Sequence, residues 1–334
     1  MQERGDRDEL VGTRLGGYSV GPAIGAGGTG VVHEGHRSSD GAPVAIKMLR
    51  PEFASADDLA RRLLREAEVS AAVRHPGLAR VFDVGILGDG SPFVVMERVK
   101  GESLAWILAR HRRLPPEPAV RILLDVLSIL GAAHDRGFTH RDVKPEHVIV
   151  GRNRGNELVV RLLDFGVCST PTQPLEERES ERGRVYGTPT YVSPEQAAGE
   201  IDVDGRADVF SSAVVLYEAL TGAVPFKGHN VAALLVRILR EDATPVRLVA
   251  PWVSPELSSV MARGLARVRS ERYQSAEDFR DGLLDACPRS VHADRDVLGR
   301  LAAQPWRVAV PVADVGLRPA TSAPTKRDVL PAEM

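Results

Sequence analysis

Residues 140–147 read HRDVKPEH. The stretch follows PEPAVRILLDVLSILGAAHDRG, a run with helical periodicity that stops at Gly137. Its charged side chains, Asp142 and Lys144 at the centre with His147 closing it, therefore fall on a loop behind an apolar helix. Loops of that kind, held by a rigid scaffold, are where chemistry is placed. What surrounds the loop decides which chemistry it serves.

The bulk numbers narrow the choice. The chain has 334 residues, enough for one large domain or two ordinary ones, and 43% hydrophobic content can bury a sizeable core. A formal net charge of −2 gives no support for nucleic acid or an acidic membrane surface as partner. The two cysteines, Cys168 and Cys287, form no CxxC, so neither a disulfide framework nor a zinc site is expected. The opening MQERGDRDEL is too polar for a signal peptide. No apolar run reaches the roughly 18 residues of a membrane helix. The expectation is a cytoplasmic protein without membrane insertion.

Four levels of organisation can be read along the chain. Residues 1–17 are expected to be a flexible arm. From 18 to about 100 the chain reads as short strands, with GYSVGPAIG, GVVHEGH, PVAIKML and PFVVMER each β-branched or alternating. One helix interrupts them; Ser55 and Asp58 resemble a capping box, and Leu59, Leu63 and Glu66 share a face. From 101 to 286 the segments are amphipathic helices, including DGRADVFSSAVVLYEALTG, VAALLVRILRE and SAEDFRDGLLDA. Residues 287–334 are rich in Pro and Ala and are expected to be a flexible tail. Strands followed by helices, not alternating with them, predict an α+β protein of two lobes with a site between them.

Gly25, Gly27 and Gly30 form GAGGTG, followed by the strand-like VVHEGH and not by a helix. Glycines between two strands let backbone amides approach phosphate oxygens with no Cβ in the way. Lys47 follows three apolar residues in VAIK, and an ammonium on a buried strand needs an anion nearby. Nucleotide phosphates and a helix carboxylate both qualify; Glu66 and Glu68 compete for the second role.

Glycine loop, VAIK, helix Glu, HRD loop, DFG at 164–166 and GTPTYVSPE at 187–195 occur in an order that resembles the eukaryotic-type protein kinases. The resemblance runs from about Tyr18 to Ala286, and HPG at 75–77 with DVG at 83–85 is similar to bacterial (Hanks-type) serine/threonine kinases. It implies a bilobal protein kinase-like fold. It also implies transfer of the γ-phosphate of ATP, with Mg²⁺, to Ser/Thr hydroxyls of protein substrates, this chain included. Ile24, Gly25, Gly27, Gly30, Val32, Ala45, Met96, Glu97 and Ile149 would enclose the nucleotide. Lys47 would hold the phosphates and pair with Glu66. Asp142 would accept the hydroxyl proton, with Lys144 and Thr188 beside it, and Asp164 would bind metal. Asp208 would tie the catalytic loop to the large lobe, and Glu195 would pair with Arg272.

Two positions depart from the pattern, and one stretch remains open within it. His147 stands where the resemblance calls for an Asn that ligates a second metal. Imidazole suits Mn²⁺ or Zn²⁺ better than Mg²⁺. A ligating ring must be neutral, and at an ordinary pKa near ~6.5 activity would fall on acidification through that region. Two alternatives stand beside a ligating ring: His147 binds nothing and one metal is held by Asp164 and phosphate, or the chain is a nucleotide-binding pseudokinase acting as scaffold or allosteric regulator. Ser70 replaces an apolar residue expected to pack towards Phe165. In the polar stretch after Asp164, Ser169, Thr170, Thr172 and Ser180 are candidate phosphate acceptors for Arg141.

Overall fold

Alternation along Pro43–Leu49 determines how the first lobe assembles. Val44, Ile46 and Met48 point to one side and are buried with Tyr18, Val20, Val31, Phe93 and Val95. Ala45, Lys47 and Leu49 point to the other, as a period of two requires. The computed structural model describes residues 8–292 except 28, 153–157, 171–172, 174–175, 177–178 and 180–181. In chain order the first lobe contains β1 (Arg14–Leu15), β2 (Tyr18–Ala26), β3 (Gly30–Arg37), β4 (Pro43–Leu49), α1 (Asp57–Ala72), β5 (Val81–Ile86) and β6 (Pro92–Glu97). The strands form one antiparallel sheet in the order β1-β2-β3-β4-β6-β5. Helix α1 covers the Lys47 side, with Leu63 buried against Leu49 and Val94 and Leu59 partly buried beside them.

Two expectations for this lobe are corrected. The flexible arm does not extend to residue 17: Asp8–Leu10 forms a 3₁₀ turn, and Leu15 of β1 pairs with Tyr18. Leu10 and Leu15 pack on the sheet core, which gives the segment a reason to fold back. Ser55 does not cap α1, which begins behind Ala56 without a side-chain cap. Asp57 and Asp58 in its first turn supply the favourable charge at the helix N-terminus instead. Strand β5 escaped the sequence reading because it is the sheet edge: its Val84 and Ile86 are exposed, so it carries no inward alternation.

The second lobe follows with β7 (Glu102–Ser103), α2 (Leu104–His111), α3 (Pro116–His134), β8 (Val148–Arg152), β9 (Leu158–Leu162), α4 (Pro194–Ala197), α5 (Gly205–Thr221), α6 (Val231–Arg240), α7 (Val246–Val249), α8 (Pro255–Gly264) and α9 (Ala276–Ala286). Helices α3 and α5 are apolar nearly all round and lie in the core, as such helices must. Gly222 ends α5 in a left-handed conformation, φ +75°, where glycine costs least. A small sheet, β7-β8-β9, carries Ile149 at the junction of the lobes.

The Glu195–Arg272 bridge expected from the resemblance is present and buried. Arg272 Nη1 and Nη2 donate to Glu195 Oε1 and Oε2 at 2.7 and 2.8 Å. Its remaining N–H groups reach the carbonyls of Ala266, Arg206 and Arg267. All five donors of the guanidinium are thus satisfied, the condition under which a buried charge is tolerated. The expected tail begins with a 3₁₀ turn at Pro288–His292 against α3; its remainder, 293–334, lies outside the described residues.

Candidate functional site

The cleft-facing side of the sheet carries the first half of the site. Val32 pairs with Lys47 and Glu34 with Ala45 in the β3–β4 register, so Val32, Ala45 and Lys47 share one face. Met96 lies opposite Ala45 on β6 and packs partly buried near α1. Ile24 is half-buried on β2, where the β2–β3 register slips between Ala23 and Gly25. Ile149 is buried on β8. Gly27 N donates to Gly30 O at 2.8 Å, closing the hairpin turn, and Arg50 Nε donates to Gly27 O at 3.0 Å. Glu97 behaves differently from the rest of its group. Its carboxylate takes Arg161 at 3.2 Å, and its N–H donates to Arg80 O, so its side chain faces an arginine.

Lys47 settles the choice between the two glutamates. Its ammonium donates to Glu66 Oε1 and to Asp164 Oδ1, the latter at 3.3 Å. Burial works against the ammonium, but Asp164 and Glu66 outweigh it and hold its pKa above the ordinary lysine value. Burial likewise favours a neutral Asp164, yet Lys47, then His147, hold that carboxyl well below the usual range. Asp164 is therefore an anion at neutral pH. It sits at φ +65°, a left-handed conformation uncommon outside glycine but tolerated by Asp, and Gly166 N donates back to its Oδ1 at 3.3 Å.

The second half converges on Asp142. Lys144 Nζ donates to Asp142 Oδ2 at 2.7 Å and to Thr188 Oγ1 at 2.8 Å. Thr188 donates its backbone N–H and its hydroxyl to Asp142 Oδ1 at 2.8 and 3.0 Å. Gly187 brings Thr188 this close: at φ +99°, any Cβ there would stand 2.7 Å from Arg141 O. The loop itself is held from below. Asp208, fully buried, accepts the N–H groups of His140 and Arg141 at 2.8 Å each and the ring of His134 at 2.8 Å. Burial would raise its pKa, but His134 and the loop's own groups pull it below the usual carboxylate range.

His147 joins the two halves. Its Nδ1 lies 3.0 Å from Asp142 O, and a carbonyl only accepts, so Nδ1 carries the proton. Nε2 then presents a lone pair 3.4 Å from Asp164 Oδ2. Burial lowers the ring's pKa to about 4, which corrects the ordinary value expected from sequence. No group of three or more His, Cys, Asp or Glu is arranged for a metal among the described residues.

Sequence reasoning missed two supports. Gln196 Nε2 donates to Arg141 O at 2.7 Å and to Tyr186 O at 3.2 Å, tying the 140–147 loop to the segment before Thr188. The signal was legible as Ser193-x-x-Gln196, a capping box that α4 does form. His134 left no such signal. The Ser70 hydroxyl accepts Val81 N at 2.8 Å, and Phe165 packs on the His140 ring, centroids 4.3 Å apart. Ser169 is held by backbone bonds to Thr139; Thr172 and Ser180 lie outside the described residues.

Residues 18–290 match the family model described as protein kinase domain. The chain is 35% identical over 278 residues to the serine/threonine-protein kinase Pkn1 of Myxococcus xanthus, covering 83% of this chain and 39% of that protein. It is 35% identical over 270 residues to the serine/threonine-protein kinase PknB of Mycolicibacterium smegmatis, covering 80% and 42%. It thus spans about two-fifths of the length of these curated relatives. Among solved structures, a point mutant of the PknI kinase domain of Mycobacterium tuberculosis matches with a TM-score of 0.63 and 29% identity, covering 83% of this chain and 98% of that one. The two-lobed fold, the Lys47–Glu66–Asp164 cluster, the Asp142 loop and these matches agree: the chain belongs to the protein kinase domain family.

Proposed function

We propose that the chain is an ATP-dependent protein serine/threonine kinase. The observation that carries this reading is the bonding of Asp142, whose carboxylate takes a hydroxyl at 3.0 Å beside the Lys144 ammonium. A substrate hydroxyl reaching that carboxylate would give up its proton to Asp142. Its oxygen would bond the γ-phosphorus as the bond to the β–γ bridging oxygen breaks, and ADP would leave with that electron pair. Such chemistry asks little covalent work of the protein, and mostly positioning and cations. Lys47 would hold the phosphates near Asp164, and Lys144 would steady the group in transfer. Val32, Ala45, Met96 and Ile149 offer the apolar surface for an adenine, with Gly25, Gly27 and Gly30 near the phosphates. Transfer of label from γ-labelled ATP to this chain or to a generic basic protein tests the reading, and its absence with every divalent ion would overturn it.

The donor set suits a divalent cation. A lone pair on Nε2 and an anionic carboxylate oxygen, both acceptors and 3.4 Å apart, repel unless a proton or a cation lies with them. With the ring's pKa near 4, a proton does not serve at neutral pH. Asp164 and His147 would hold the ion, which would neutralise charge on the phosphate oxygens; phosphate and water would complete its shell. A nitrogen donor favours Mn²⁺ over Mg²⁺. His147→Asn is therefore expected to raise the Mg²⁺-supported rate about three- to tenfold, up to ~1.4 kcal/mol in the barrier, and to narrow the Mn²⁺ preference. Metal-supported activity of the unaltered chain should hold as pH falls through 6.5 and decline only towards 4. Steady-state rates in each metal across that range check both points; equal Mg²⁺ rates with Asn and His would contradict the ligand role.

A further inference from the structure

Helix α1 must hold one rotation about its axis for Glu66 to meet Lys47, and its own packing on the sheet rests on buried Leu63 with Leu59 and Ala60 partly buried beside it, while Val69 packs into the core of the second lobe. A second anchor comes from the segment before Thr188. The Arg62 guanidinium stands over the Tyr186 ring, 5.1 Å from its centroid. Arg62 and Glu66 are four residues apart, hence on one face of α1. Asp58, a further turn back, lies 3.6 Å from the same guanidinium and orients it. The backbone of this turn also touches the 164–166 loop: a Cβ on Gly166 would sit 3.4 Å from Arg62 O. Tyr186 is itself fixed, since its carbonyl accepts Gln196 Nε2 at 3.2 Å and the same amide holds Arg141 O at 2.7 Å. One turn further along α1, Arg65 donates to Cys168 O at 3.4 Å.

We propose that Arg62 and Tyr186 are positioning residues that act through Glu66, so that the segment ahead of Thr188 and the Lys47–Glu66 pair are set together. The proposal rests on the kinase reading only for its kinetic arm. A cation over an aromatic face at a half-exposed site is a modest interaction, yet it acts at the end of a lever. Glu66 is one helical turn away, about 6 Å along α1, and a small rotation there separates its carboxylate from Lys47. Nothing in either sequence neighbourhood signals the contact: RRLLRE and GRVYGT read as a solvated helix face and a polar loop.

The test uses the full chain with Tyr186→Ala, Tyr186→Phe and Arg62→Gln, each alone and in a Glu66→Gln background. Tyr186→Ala and Arg62→Gln are each expected to lower kcat/KM for ATP about three- to tenfold, while Tyr186→Phe, which keeps the ring face, stays within about twofold. In the Glu66→Gln background both losses should vanish. Hydrogen exchange of the α1 amides, 57–72, should quicken with Tyr186→Ala and not with Tyr186→Phe. Undiminished losses in the Glu66→Gln background, or α1 exchange indifferent to the ring, would overturn the proposal. The exchange arm needs no phosphoryl transfer, so it decides the matter even for a chain that proves inactive, and Arg62→Gln supplies it if Tyr186→Ala does not fold.

Discussion

Asp142→Asn is expected to lower phosphoryl transfer by about 10²–10⁴-fold, the range that a positioned general base supplies. The change removes one acceptor oxygen and places an amide N–H₂ among groups that already donate. Thr188 donates two hydrogen bonds to Oδ1 and Lys144 donates to Oδ2, so an amide in either orientation sets a donor against a donor. Nucleotide affinity should change little, because Lys47, Glu66 and Asp164 form a separate hydrogen-bonded group. Single-turnover transfer measured beside the dissociation constant of a non-hydrolysable ATP analogue separates the two. A variant with an unaltered rate would remove Asp142 from the chemistry.

Arg272→Met should produce the largest loss of stability of any single change considered. It leaves Glu195, 3% exposed, as an unpaired carboxylate within the second lobe. Breaking one partner of a buried pair costs about 3–5 kcal/mol, which corresponds to a fall in Tm of about 6–20 °C for a domain of this size. Arg272→Met combined with Glu195→Leu should recover a good part of that loss, since the charge that lacks a partner is then gone. The loss should also reach the site. Glu195 and Gln196 are neighbours on α4, and Gln196 holds both Arg141 and Tyr186. Thermal unfolding of the single and double variants checks this; a Tm for Arg272→Met within about 2 °C of the parent chain would show the pair to be dispensable.

What could be read before folding follows from how local the signal is. The apolar residues before Lys47 marked a buried strand whose ammonium needs an anion, and the structure gives it two, Glu66 and Asp164. The helices ending at Gly137 and Gly222 were marked by glycines that adopt φ +79° and +75°. Pattern alone left Glu66 and Glu68 equal, because the choice depends on how α1 rotates against the sheet. The neutral state of His147 was out of reach for a similar reason. Its pKa is set by burial between two carboxylates from distant parts of the chain, Asp142 and Asp164, and burial of that kind has no periodicity. Thr188 lies 46 residues beyond Asp142, yet its motif was readable; the Arg62–Tyr186 contact spans a greater separation and had no motif to announce it.

The most direct measurement compares ATP labelled at the γ- and at the α-phosphorus, incubated with the full chain and Mn²⁺ or Mg²⁺, followed by acid hydrolysis and identification of the labelled amino acids. The account predicts γ-label alone, recovered on phosphoserine or phosphothreonine, and lost with Asp142→Asn. Protein-bound α-label, or no label from either nucleotide with both metals, would contradict it.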